Sequence, residues 1–225
     1  VKKASSTDVY MLSGQNLGFF MFFGCLVAVF LGGSSTIGSA QLGYEIGFSG
    51  VWFVFSMGLG ISLFGLILLR KVSGYEVTTI SELLGRLFNV ETKLVGAIVA
   101  AIYTLMVSVT QVIAIGVLLS AIFGWNLKLA MLIGGGVVFF YTILGGMWSV
   151  SMTDVVQFAT MTLGIFFIML PVSLNKVGGF NELLVQLPSS YFSFTNIGFL
   201  EILKYLTTFT LGMMVGQDIW QRYFT

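Results

Sequence analysis

The feature that most constrains this chain is an apolar run from Leu17 to Phe48 that is interrupted in its middle. The interruption is Gly32-Gly33-Ser34-Ser35-Thr36-Ile37-Gly38-Ser39-Ala40-Gln41-Leu42-Gly43-Tyr44. The run exceeds the roughly 20 residues that carry a helix across a bilayer. Its flanks are Phe, Leu, Val and Ile, while its centre is Gly, Ser and Thr. Lipid offers no hydrogen bonds to backbone amides, so a break at membrane depth survives only where protein or a water-filled cavity receives the freed groups. Two readings stand. One is a broken transmembrane helix whose carbonyls and amides form a binding site. The other is a kinked helix, or small residues that let a neighbouring helix approach.

Composition sets the class. Hydrophobic residues make up 57% of the 225 and charged residues 8%, against about 25% charged in soluble domains. The chain is therefore expected to be an all-α, polytopic membrane protein. A net charge of +1 gives no sign of a nucleic-acid partner. Histidine is absent and Cys25 stands alone, which argues against a zinc site, a disulfide framework or a thiol nucleophile. No nucleophile and base pair is evident, so an enzyme is not expected and no cofactor is implied. The first residue is Val1 and no cleavable signal is evident, so an excerpt of a longer chain is expected.

About six spans are expected. The first is the broken run. A Ser49-Gly50 turn leads to a second from Val51 to Leu69, stopped by Arg70 and Lys71. Thr79-Ile80-Ser81-Glu82 fits a capping box, followed by Ile80, Leu83, Leu84, Leu87 and Phe88 at helical spacing, which predicts a short amphipathic surface helix with Arg86 reaching towards head groups. A third span covers about Leu94–Phe123, with Ser108, Thr110 and Gln111 near its centre. A fourth covers Leu127–Leu144, where Gly134-Gly135-Gly136 permits close packing. Gly145-Gly146-Met147-Trp148-Ser149 is a tight re-entry, and a fifth span covers Thr153–Leu174 with Asp154 near its start. A short helix from Asn181 to Leu187 lies in the connection that follows, stopped by Pro188. A sixth span starts near Phe199 and loses its apolar character at Gly212 and at Gly216-Gln217-Asp218.

Placing the N-terminus inside puts seven of the ten Lys and Arg residues on the cytoplasmic side, as the positive-inside rule requires. Residues 1–14 and 70–93 are then cytoplasmic.

Polar residues at membrane depth cost free energy unless paired or functional. Asp154 reads either as an interfacial acid near a helix start or as a carboxylate beside a cation path. The hydroxyls and carbonyls around Ser34, Ser35, Thr36 and Ser39 are hard neutral oxygens that suit an alkali cation. Gln41 can serve a polar organic solute or an interhelical hydrogen bond. Asp218 and Arg222, spaced i,i+4, read as an intrahelical ion pair.

Four stretches, in order, resemble the sodium/solute symporter family, whose members include sodium-coupled proline, galactose, sialic acid and pantothenate carriers. They are Gly33-Ser34-Ser35-Thr36-Ile37-Gly38-Ser39 with Gly43-Tyr44-Glu45-Ile46-Gly47; Thr78-Thr79-Ile80-Ser81-Glu82-Leu83-Leu84-Gly85-Arg86; Tyr141-Thr142-Ile143-Leu144-Gly145-Gly146-Met147-Trp148 with Thr153-Asp154-Val155-Val156-Gln157; and Gly216-Gln217-Asp218-Ile219-Trp220-Gln221-Arg222. The resemblance implies a partial inverted-repeat fold named after LeuT. Residues 1–225 would form a single partial transporter domain: a lead-in over 1–14, a first five-helix repeat over 15–175, an extracellular loop over 176–197 and the start of a second repeat over 198–225.

It further implies a secondary transporter of the cell (inner) membrane, coupling sodium to uptake of a small polar solute such as an amino acid, sugar or carboxylate. Its partners would be the bilayer and the remainder of its own polypeptide. By resemblance, sodium is held by backbone carbonyls of Ser34 and Ile37, with Asp154 at the position of a further sodium ligand. Substrate contacts fall to Ser35, Thr36, Gln41, Gln111, Gly212 and Met213. Gly212 stands where the family's sugar carriers have an aromatic gate, against a galactose-like mode. Alternatives are a solute-sensing module of a signalling protein, or a proton-coupled carrier with Asp154 as proton carrier.

Overall fold

A computed structural model describes residues 18–223 except 76 and 78. The lead-in over 1–14, the first residue of the first span and Thr78 lie outside the described residues. Every regular element among those described is helical: α1 (Phe19–Phe30), α2 (Gly33–Ile46), α3 (Val51–Leu63), α4 (Leu69–Val72), α5 (Ile80–Leu87), α6 (Val90–Phe123), α7 (Leu127–Leu163), α8 (Leu170–Val177), α9 (Phe180–Gln186), α10 (Phe199–Val215) and α11 (Gln217–Tyr223). Four stretches are long and apolar enough to cross a membrane: Ser35–Tyr75, Val90–Phe123, Leu127–Met147 and Ser149–Val177. Over the described residues the chain is an all-α, multi-pass membrane protein.

The first span is broken, but over fewer residues than its composition suggests. At the break only Leu31 and Gly32 leave the helical region, Gly32 at φ −67° and ψ 162°. The small residues from Gly33 onwards resume as α2. A Cβ on Gly33 would come within 2.6 Å of the Ala114 Cβ on α6, so glycine there permits a close approach that alanine would not. Gly47, at φ 63°, then turns the chain through a 3₁₀ segment, Gly47–Gly50, into α3.

The α3 helix runs into a π turn, Phe64–Leu68, before α4. The Tyr223 hydroxyl donates to the Ile61 carbonyl at 3.3 Å just ahead of that turn. A second π turn, Gly164–Met169, lies immediately before Pro171. Proline lacks the amide that an α-helix interior needs, and a local change of hydrogen-bond register is one way a helix accommodates it.

The amphipathic element is α5, capped by the Thr79 hydroxyl, which accepts from the Glu82 amide at 3.1 Å. Its Arg86 donates to the Tyr75 carbonyl. α5 packs on α6, which pairs in turn with the first half of α7. There a Cβ on Gly134 would lie 2.2 Å from Ile115 Cγ2, while one on Gly136 would meet nothing within 4 Å, so Gly134 is the glycine of the three that the helix contact requires. Gly146, at φ 58° and ψ −155°, divides α7 at the expected re-entry. The helical segment resumes before Thr153, so Asp154 sits inside it rather than at its start.

The second half of α7 packs on α1: a Cβ on Gly24 would meet Val155 Cγ2 at 3.1 Å, and the Phe23 and Phe158 rings lie edge to face. α3 packs along α10. The buried Thr210 hydroxyl donates to the Ser56 carbonyl at 3.0 Å, and Gly60 faces the Thr210 carbonyl. Ile61, Phe64, Val72, Val77, Leu83, Ile219 and Trp220 form the core cluster that joins α3, α5 and α11.

The connection after α9 folds back onto the turn between α2 and α3. Ser49 donates to the Ser193 carbonyl at 2.9 Å and Trp52 Nε1 to the Phe194 carbonyl at 2.6 Å, while the Tyr191 hydroxyl donates to the Tyr44 carbonyl at 3.0 Å. Phe48 packs against the rings of Phe192 and Phe194.

Candidate solute and ion site

Two interrupted helices face one another across a cavity of about 340 Å³, at the small end of the range for ligand pockets. One interruption is Leu31-Gly32 between α1 and α2. The other is Gly216 between α10 and α11, extended at φ −62° and ψ 122°. Phe30 and Ser35 line the cavity from the first break, Met57 from α3 and Tyr103, Thr110 and Gln111 from α6. Phe209, Gly212 and Met213 line it from α10, and Asp218 from α11.

Each break leaves backbone groups without helical partners, because the last carbonyls and first amides of a helix have none within it. The hydroxyls beside the first break reach back to satisfy some of them. Ser35 Oγ donates to the Phe30 carbonyl and to the Gly32 carbonyl at 2.9 Å. Thr36 Oγ1 lies 3.0 Å from the Gly32 carbonyl and 3.2 Å from that of Gly33. The Gln111 amide packs against Gly32, where a Cβ would meet Nε2 at 2.9 Å. Glycine is what lets the amide lie on the break.

Of the residues expected to contact solute, Ser35, Gln111, Gly212 and Met213 line this one cavity. Thr36 is turned to its own helix's carbonyls. Gln41 is exposed on α2 and donates to Glu45 Oε1 at 2.8 Å, an i,i+4 bond away from the cavity. Ser34 and Ile37 fall in the first two turns of α2.

Asp154 is buried and paired with Arg222, Nη2 to Oδ2 at 3.1 Å, with side chains 11% and 15% exposed. Arg222 thus reaches across to α7, and the expected Asp218–Arg222 pair is not the one formed. The reason is packing. α11 is held against α1 and α3 by Trp220 and Tyr223, with Phe22 and Tyr223 edge to face and Phe64 against Trp220, and α1 lies on the half of α7 that carries Asp154. Cys25 on α1 donates to the Ser151 carbonyl at 3.4 Å, one turn from the pair.

Sequence reasoning missed Tyr103, Phe30, Met57, Phe209 and Asp218 as lining residues. Part of the signal was present: Tyr103, Val107, Thr110 and Gln111 recur at helical spacing on one face of α6. The contributions of α3 and α10 are long-range and leave no such period.

Comparison with known proteins gives a consistent neighbourhood. A family model described as Sodium:solute symporter family matches residues 10–225. The osmoregulated proline transporter OpuE of Bacillus subtilis (strain 168) is 26% identical over 91% of this chain and 44% of its own length. The high-affinity proline transporter PutP of the same organism is 30% identical over 69% of this chain and 35% of its own. The human high affinity choline transporter 1 is 22% identical over 97% of this chain and 38% of its own. The chain thus spans less than half the length of these relatives. They are transporters rather than enzymes. No solved structure matches the chain.

Proposed function

Because the chain belongs to the sodium:solute symporter family, we propose that its complete polypeptide is a sodium-coupled symporter of a small amino acid, proline being the first candidate. The protein would reside in the cell membrane with residues 1–14 and 70–93 on the cytoplasmic side. The observation that carries this reading is the shared cavity between two helix breaks, with Ser35 and Gln111 on one side and Gly212 and Met213 on the other. The proline transporters among the relatives point to the solute.

In this reading the solute lies between the breaks, contacted by Ser35, Gln111, Gly212 and Met213, with Thr36 at the start of α2 supporting the first break. Sodium is held by the carbonyls of Ser34 and Ile37 and by ligands outside this chain. It stabilises the state that binds solute, and linkage requires the solute to raise sodium affinity by the same factor. Asp154, held by Arg222, lies on the cation's path.

The test is uptake of labelled proline by the full-length protein in vesicles. Accumulation is expected with an inward sodium gradient and not when N-methylglucamine replaces sodium at constant pH. Equal accumulation in both would overturn sodium coupling.

A further inference from the structure

The cavity holds one ionisable carboxylate, and it makes no ion pair within 4 Å among the described residues. Asp218 lines it, and its Oδ1 is buried without a hydrogen-bond partner among the described residues. Arg222, one turn further on, is engaged with Asp154. Gly216 leaves the carboxylate its place: a Cβ there would lie 2.7 Å from Asp218 Oδ1 and 3.5 Å from the Tyr103 hydroxyl. The break therefore presents an acceptor atom and an aromatic hydroxyl side by side at the cavity wall.

The rest of the lining limits what Asp218 could receive. It contains no basic side chain. The Ser35 and Thr110 hydroxyls donate to nearby carbonyls, Thr110 to that of Val107 at 2.7 Å. The rest of the lining is largely apolar and aromatic, with Phe30, Tyr103, Phe209 and Met213. A sodium ion needs several hard oxygens converging, and beside Gly216 only the carboxylate and the Tyr103 hydroxyl come together. An anionic solute would meet a like charge. An alkylammonium satisfies both halves: its N–H groups donate to the carboxylate, and its positive charge is favoured over aromatic faces.

The geometry points to Asp218 as the residue that selects solutes carrying a protonated amine, through a charge-assisted hydrogen bond to that amine. The Gln111 amide beside Gly32 is left to donate to the solute's carboxylate. The inference rests on the symporter reading only in taking this cavity as the solute's.

Binding is measured apart from transport, on the purified full-length protein. Thermal stabilisation is titrated with proline and with tetrahydrofuran-2-carboxylate, in which a ring oxygen replaces the amine. Proline is expected to act at least tenfold more tightly on the parent, and Asp218→Asn to shrink that preference at least fivefold. The half-saturating sodium concentration measured without solute should stay within twofold. A parent stabilised by neither compound, or by both alike, overturns the inference. So does an Asp218→Asn protein that keeps the preference or shifts only its sodium requirement. Should Asp218→Asn not fold, Asp218→Glu, which keeps the charge and moves it by one methylene, is expected to weaken the preference; an unchanged preference overturns the inference. Selective binding without sodium-driven uptake would overturn the symport reading alone, and sodium-driven uptake without amine selectivity would overturn this one alone.

Discussion

Arg222 Nη2 stands 3.1 Å from Asp154 Oδ2, joining the last helix of the chain to the second half of α7. The two residues are 68 positions apart, and both side chains are largely withdrawn from solvent. A buried pair of this kind contributes little net stability relative to an apolar replacement, but removing one partner leaves the other charge uncompensated.

Asp154→Asn and Arg222→Gln are each expected to destabilise the full-length protein by about 3–5 kcal/mol. The double variant should cost less than the two together, because it strands no charge. Denaturant unfolding in detergent measures this; strictly additive losses would mean that the pair is not coupled. In vesicles, Asp154→Asn should raise the sodium concentration for half-maximal uptake. A sodium dependence identical to the parent's would remove Asp154 from the cation path.

At the α3–α10 interface, Gly60→Ala should be costly. The added methyl falls 2.5 Å from the Thr210 carbonyl and 2.8 Å from Met213 Cβ, so a helix must move. Overpacking of this kind costs about 1–3 kcal/mol. Gly58→Ala, two residues away with open space around it, is the control and should be near neutral; comparable melting temperatures for the two would contradict the packing.

Gly47→Ala should release the connection that folds over the α2–α3 turn. Position 47 has φ 63°, and a Cβ would lie 2.3 Å from the Tyr191 carbonyl. Limited proteolysis between residues 178 and 198 should quicken markedly in this variant. It should quicken only slightly in Tyr191→Phe, which loses a single hydrogen bond worth about 1 kcal/mol.

Thr79→Ala removes the cap of α5 and should cost about 1 kcal/mol, with Thr79→Ser restoring most of it. Hydrogen exchange over residues 80–87 reads the effect locally, and unchanged exchange would show that packing on α6 alone holds the helix.

How much was legible in the sequence varies with the range of the interaction. The capping box at Thr79, the stop before Pro188 and the corner at Gly146 are local, and residue types alone indicated them. The first break was visible as Gly32-Gly33, but its extent was not. Ser35 and Thr36 read as oxygens available to a cation or a solute, yet their hydroxyls turn back to carbonyls at the start of α2, and the backbone from Gly33 to Ile46 stays helical. For Arg222 the i,i+4 spacing to Asp218 was a sound local expectation. It failed because the docking of α11, fixed by Trp220 and Tyr223, brings the guanidinium to a residue on another helix. The cavity draws on six helices, α1 through its last two residues, and only its α6 face carries a readable period.

The three side-chain bonds that close the connection over the α2–α3 turn all end on main-chain carbonyls: those of Ser193, Phe194 and Tyr44. The donors Ser49, Trp52 and Tyr191 therefore recognise a path of backbone rather than particular letters at 193 and 194. Substitution at those two positions can drift without breaking the hydrogen bonds, whereas shortening the loop by one residue would misalign them. Alignments of this segment should accordingly show constant length more than constant identity.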